Sequence, residues 1–307
     1  MIHRIKALVK RLRHRLDFLS SNYNVSNTQF WTRENVTSHR SFKTRQESLD
    51  YLHWRNSKYL FIEKLMPLSG HDGLRILDYG CGPGHDAVGF AEFSTPLEVI
   101  GVDISASSLA EAGKRLKLHD ASCVRLMKIE DNTAALPFPD SHFDLIHSAG
   151  VLHHTPNIME ILRELRRVMK PNGRMRVMVY NYDSVWVHLY VAWYLQVNSG
   201  IDSHLSLADA FRRSADGIHC PIGRCYRPAE FMGLCESCGF TTEFMGSAVS
   251  TLEMIHLPQR PRAIADLNLA PEHRDFLREL TFDAHGLPMI NGHYAGIDGV
   301  FELRLKG

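Results

Sequence analysis

Eleven residues constrain this chain more than any others. In Ile76-Leu-Asp78-Tyr-Gly80-Cys-Gly82-Pro-Gly84-His-Asp86 an apolar run breaks into three alternating glycines and passes directly into a helical pattern. Such a stretch reads as a strand, a tight loop and a helix start. The glycines let the backbone turn sharply and come close to a ligand, and the helix that follows presents unpaired N–H groups to a carboxylate or phosphate.

The surrounding pattern extends this unit into a sheet. From Leu74 short apolar runs alternate with helical stretches, the signature of parallel strands joined by crossover helices. The runs predict strands over Arg75–Tyr79, Glu98–Val102, Cys123–Ile129, Phe143–Ser148 and Gly173–Tyr180. Helices are predicted over Asp86–Phe93, Ser107–Leu118 and Ile158–Met169, with a short piece before Leu136 and a stop at Lys170-Pro-Asn-Gly173. The expected fold is α/β: a doubly wound, Rossmann-like, mostly parallel sheet of about seven strands with helices on both faces.

Residues 1–70 read as an N-terminal helical cap, 71–181 as the ligand-binding core, and 182–307 as the rest of the same domain with lid insertions at about 182–222 and 250–295. Ser48 to about Met66 is predicted as one helix, and the polar stretch Ser20–Ser41 as irregular. The sixth strand is placed from Phe240 to about Gly246 and the last over Gly299–Leu305, with a helix over Pro271–Leu280 between them.

Composition narrows the class. Of 307 residues 44% are hydrophobic and 22% charged, which supports a packed globular core. The formal charge of +1 hides a basic start, since Arg4, Lys6, Lys10, Arg11, Arg13 and Arg15 precede the first acid, Asp17. With Ile2, Ile5, Leu8, Val9, Leu12, Leu16 and Leu19 at helical spacing, residues 1–19 read as a basic amphipathic helix. It suits peripheral contact with an anionic membrane or RNA, and equally packing on the domain. Six cysteines without a secretory signal fit free thiols in a reducing compartment. The apolar stretch Val185–Val197 is too short to span a bilayer. A cytoplasmic protein is expected, with residues 1–19 as the segment that would bring it to a membrane.

The glycine loop has a rival reading, because Gly82-x-Gly84-x-x-Ala87 also satisfies a nicotinamide-dinucleotide pattern. Both readings place an acid about 20 residues on to accept from ribose hydroxyls, and Asp103, ending Val99-Ile-Gly-Val-Asp103, supplies it. Asp78 separates them. Ahead of the first glycine, its carboxylate can meet the ammonium of an amino-acid-bearing cofactor, whereas it would repel a pyrophosphate.

Five ordered blocks carry a family resemblance: Ile76 to Gly84, Val99 to Ser105, Leu136-Pro-Phe-Pro-Asp-Ser-His-Phe-Asp-Leu145, His147-Ser-Ala-Gly-Val-Leu-His-His154 and Glu164-Leu-Arg-Arg-Val-Met-Lys-Pro-Asn-Gly173. Over residues 74–181 the chain resembles the class I S-adenosylmethionine-dependent methyltransferases, in particular the ubiquinone/menaquinone-type group with a methyltransferase type 11 domain. The resemblance implies S-adenosyl-L-methionine as cofactor, with Asp78, Gly80, Cys81, Gly82 and Gly84 around its methionine end, Asp103 on the ribose and Ile104 beside the adenine. It also implies Asp131, with Asn132 second, near the adenine amino group, and His147 and Ser148 under the sulfonium.

The reaction implied is in-line displacement of the sulfonium methyl by an acceptor nucleophile, in which the protein mainly aligns the two and excludes water. His154 and then His153 are the nearest candidate bases, should the acceptor have to lose a proton. The acceptor is expected to be a small or lipid-like molecule against Tyr180, Tyr182, Trp186 and Tyr226, next to the aromatic run Val185–Leu195, which reads equally well as a buried helix. No nucleic-acid partner is expected, as no base-flipping or RNA-binding motif is present. His219 with cysteines 220, 225, 235 and 238 invites a zinc reading. Cys235 and Cys238 instead suit core positions of a helix, so no metal is expected. The alternatives are a nicotinamide-dependent oxidoreductase and a non-catalytic S-adenosylmethionine-binding subunit.

Overall fold

The computed structural model describes residues 26–131 and 135–306. The basic segment 1–19 and Asn132 lie outside the described residues.

Among the described residues the main sheet has nine strands, seven of them long: β1 (Arg75–Tyr79), β2 (Glu98–Asp103), β3 (Val124–Lys128), β4 (Phe143–Ala149), β5 (Met169–Asn181), β6 (Phe240–Ser250) and β7 (Asp298–Leu305); of the two short ones, Cys225–Tyr226 runs parallel to the end of β5. The order of the seven is β3-β2-β1-β4-β5-β7-β6, and Tyr59–Leu60 adds a two-residue edge beyond β6. Strands β1 to β5 run parallel, and β7 lies antiparallel between β5 and β6. The burial of β1 and β2 on both faces explains their unbroken apolar runs, since a parallel sheet is covered by helices on each side.

The helices that position the site are α1 (Asn27–Arg33), α2 (Arg45–Asn56), α3 (Ile62–Leu65), α4 (His85–Phe93), α5 (Ala106–Leu118) and α6 (Ile158–Val168). In α6 the buried positions Ile158, Ile161, Leu162, Leu165 and Val168 follow helical spacing and join the main core with Phe143, Ile146 and Val177. Each such side chain contributes about 1.5–3 kcal/mol relative to exposure.

Beyond β5 the chain forms a second small core. Trp186–Asn198 winds as a π-helix and buries Leu189, Ala192 and Trp193 against Ala263, Leu269, Phe276 and Leu277. Helices α7 (Leu207–Asp216), α8 (Pro228–Ser237), α9 (Thr251–His256), α10 (Arg260–Ala265) and α11 (Pro271–Glu279) complete the fold, with a three-stranded sheet of residues 281–282, 288–290 and 293–294.

Four expectations change. Part of the polar stretch 20–41 is helical: Ser26 and Gln29 form a reciprocal capping box that starts α1. The helix expected over Ser48 to Met66 stops at Asn56, because Tyr59 and Leu60 pair with the edge of β6 and Phe61, at φ 73°, turns the chain before α3. The helix before Lys170 ends as expected, at Val168, but β5 begins at Met169 rather than Gly173, with a register shift against β4 between Phe143 and Leu145. Finally, β6 runs on to Ser250, where a second capping box, Ser250 with Glu253, starts α9.

Candidate active site at the sheet switch point

In a doubly wound sheet the ligand crevice lies at the carboxyl ends of the strands where the connections diverge. Here that point falls between β1 and β4, and a cavity of about 590 Å³ opens there. Its lining includes the loop after β1 (Asp78 to Pro83), the end of β2 (Asp103, Ile104), Asp131, and the end of β4 (Ala149 to Val151). The volume is ordinary for a small-molecule site.

The loop is held open by backbone geometry. Gly82 has φ +51° and nothing within 4 Å of the position a Cβ would take, so its backbone faces free space. Gly80 is the opposite case. At φ +81° its missing Cβ would fall 2.3 Å from Val151 Cγ2, so only glycine lets the loop pass β4. The Asp103 carboxylate accepts from the Gly82 N–H (2.8 Å) and from the Ser105 N–H (2.8 Å), tying the loop to β2. Burial raises its pKa against those two amides.

Asp78 is buried, and its Oδ2 has no hydrogen-bond partner among the described residues. Burial pushes its pKa up to about 7, opposed chiefly by His147. A buried carboxylate on a cavity wall without a cation fits a ligand that brings one. Cys81 also lines the wall, as a thiol that burial holds well above its usual pKa.

The rest of the cavity wall is built from elements far apart in sequence. Tyr51, Trp54, Arg55, Lys58 and Tyr59 come from α2 and the turn after it, Trp31 from α1, His154 from the turn after β4, Tyr180 from β5, Asp216 from α7 and Asp298 from β7. Asn27 latches this cover down by donating to the His154 carbonyl (2.7 Å) and to Asp131 Oδ1 (3.4 Å). Farther along, Asn35 and His39 bind Glu111 of α5 (2.7 and 2.6 Å).

Around His154 the groups are tightly coupled. Its Nδ1 meets the Ile222 carbonyl at 2.6 Å and its Nε2 stands 3.7 Å from Asp216 Oδ1, which accepts from the Tyr180 hydroxyl at 2.8 Å. Burial lowers the His154 pKa, so the ring is neutral at pH 7. His154, Asp216 and Cys220 each offer a possible metal-ligand atom within 4.8 Å of the others, a grouping the cysteine spacing does not reveal.

Several predicted site residues lie elsewhere. His147 does not line the cavity: its Nε2 bonds Asp86 Oδ2 at 2.9 Å behind the wall, because β4 turns that side chain toward α4. Ser148 is likewise buried and donates to the Tyr79 carbonyl. His153 is fully buried beside Tyr180, neither ring nitrogen has a partner among the described residues, and it faces no acceptor space. Of the four predicted acceptor residues only Tyr180 lines the cavity. Tyr182 lies under Arg227 and donates to Glu272, Trp186 donates to Ser214, and Tyr226 is core beside Phe231. Cys235 and Cys238 are core residues of α8 and its end.

Matching residues 70–198, the family described as the methyltransferase domain covers the glycine loop, the acid of β2 and the turn after β4. The match to a methyltransferase domain spans under half of the chain. Over 107 residues the chain is 39% identical to an uncharacterized methyltransferase of Schizosaccharomyces pombe, covering 32% of this chain and 37% of that protein. A demethylmenaquinone methyltransferase of Geobacillus kaustophilus is 33% identical over 124 residues, 40% of this chain and 50% of its own length. The chain thus spans about half or less of the curated relatives it matches. Among solved structures, a chain of the Haloferax volcanii complex with the Trm112 methyltransferase activator superposes with a TM-score of 0.52 at 14% identity, covering 86% of this chain and 98% of that one. That likeness concerns the fold alone.

Proposed function

We propose that the protein transfers a methyl group from S-adenosylmethionine to a small-molecule acceptor. The observation that carries this reading is the unpartnered carboxylate of Asp78 beside the open Gly82 backbone, in a cavity that continues past His154 to Tyr180 and Asp298. In this reading Asp78 meets the ammonium of the methionine end, Asp103 accepts from the ribose hydroxyls, and Ile104 and Asp131 flank the adenine. S-adenosylmethionine, when bound, supplies an activated methyl carbon whose bond to sulfur breaks as the acceptor's lone pair bonds to it.

The chain's own contribution is positioning. The Asn27 latch and the α2 cover close the cavity over the reacting atoms and keep water out. Neutral His154 holds its Nε2 as a proton acceptor, with Nδ1–H donated to the Ile222 carbonyl. The demethylmenaquinone methyltransferase among the relatives supports a small-molecule acceptor. Mass spectrometry of ligand co-purifying with the full chain tests the reading: S-adenosylmethionine or its demethylated product is expected, and a nicotinamide dinucleotide in its place overturns it.

A further inference from the structure

The acceptor half of the cavity has a charge pattern that selects its occupant. Eight carboxyl side chains line the whole cavity against two permanent cations, Arg55 and Lys58. Among the described residues neither cation bonds to an acid of the acceptor end, although Arg55 lies near enough to Asp298 to offset part of the effect of its burial. Arg55 is spent on Asp86 at 2.5 Å, and the Lys58 ammonium stands 5.2 Å from the Trp54 ring centre.

Two of the acids converge there. Asp298 opens β7, is 4% exposed, lines the cavity, and its carboxylate accepts no hydrogen bond among the described residues. Asp216 accepts from Tyr180 on Oδ1, while its Oδ2 is buried without a partner. Burial first, then the nearby Glu253 and Asp216, holds Asp298 well above the usual carboxylate pKa. Leaving such groups unpaired is costly, and a ligand that brings a cation or a strong donor relieves the cost. Beside them stand Tyr59 and Tyr180, aromatic side chains whose faces attract organic cations. An anionic acceptor, carboxylate or phosphate, would be repelled by either acid in its ionised form, whereas an ammonium favours that form.

We propose that the acceptor is a small organic amine whose ammonium is received by Asp298 and Asp216 beside Tyr59 and Tyr180. This rests on the methyl-transfer reading of the cavity. The carboxylates also serve the chemistry: an ammonium N–H bond breaks as an Asp298 O–H bond forms, which leaves the amine neutral, with its nitrogen lone pair free to attack.

Titration calorimetry of the full chain with three isosteres, 2-phenylethylamine, 2-phenylethanol and 3-phenylpropionate, tests the proposal, with and without S-adenosylhomocysteine. The amine is expected to bind at least ten-fold more tightly than the alcohol, and the carboxylate not to bind. Asp298→Asn and Asp216→Asn are each expected to weaken the amine about ten-fold or more and leave S-adenosylhomocysteine affinity unchanged. Equal binding of amine and alcohol, preference for the carboxylate, absence of amine binding, or indifference to both substitutions in variants that melt cooperatively overturns it. The isostere series needs no variant to fold. Amine selectivity without S-adenosylhomocysteine binding would leave the cation site standing and overturn the methyl-transfer reading alone.

Discussion

Arg55 of α2 donates to Asp86 of α4 at 2.5 Å, and this ion pair fastens the N-terminal cover to the helix that begins at the glycine loop. Asp86 keeps a second partner, His147, on its other oxygen. Burial acts to raise the Asp86 pKa, but Arg55 and then His147 outweigh it and hold the carboxyl well below the usual range. Arg55→Gln is therefore expected to cost about 2–4 kcal/mol, somewhat under the usual loss for a half-removed buried pair because Arg55 is partly exposed. The sign with pH follows from the depressed pKa. The contribution is present above about pH 4 and is lost as pH falls toward the folded-state value, so the gap between wild-type and variant melting temperatures should be widest near pH 7 and narrow below pH 4.

Asp78 gives the opposite dependence. With a folded-state pKa raised to about 7, its ionised form is what the unbound fold disfavours and what a bound ammonium requires. The stability it lends is complete below about pH 4 and is lost as pH rises through 7. S-adenosylhomocysteine affinity should run the other way, falling about ten-fold per unit as pH drops below 7. Asp78→Asn should weaken binding at pH 8 and flatten the profile. Calorimetry between pH 6 and 8.5 checks this, and a wild-type profile already flat would rule out the ammonium contact.

Asp103 carries two jobs, one visible in the fold and one proposed. Its carboxylate satisfies the Gly82 and Ser105 amides, so Asp103→Ala strands two donors and is expected to lower stability by about 1–3 kcal/mol. Cofactor affinity should fall as well. Asp103→Asn keeps an acceptor and should regain much of the stability but less of the affinity. Thermal melts and titrations of both variants separate the roles.

Gly80→Ala is expected to be among the most damaging single-methyl changes in the chain. The new Cβ meets Val151 at 2.3 Å in a backbone conformation that costs an L-residue about 1–2 kcal/mol. Adding Val151→Ala should relieve the clash but leave the conformational cost, a partial rescue that chemical denaturation can measure.

What was legible in the sequence was whatever depends on neighbours in the chain. The sheet strands, α4, α5 and α6 are written in apolar runs of the right period and in capping residues, and the glycine loop and Asp103 stand at strand ends that the same pattern locates. The acceptor half was not legible. It is assembled from Tyr59 near one end of the chain and Tyr180, Asp216 and Asp298 much farther along, and the sheet order, with β7 inserted beside β5, brings Tyr180 and Asp298 opposite each other. Nothing in the local sequence around Asp298 marks it. The aromatic run Val185–Leu195 drew attention away because a small buried core uses the same residue types as an apolar pocket. His147 and His154 show the same limit: seven residues apart, one turns behind the wall and one onto it, as the end of β4 dictates.

The central claim is that the Asp78–Gly84 loop holds S-adenosylmethionine. Titrating the purified full chain with S-adenosylmethionine and, separately, with NAD measures it directly. Saturable binding of S-adenosylmethionine at one site per chain, with no heat from NAD, is the predicted result; NAD binding without S-adenosylmethionine binding would contradict it.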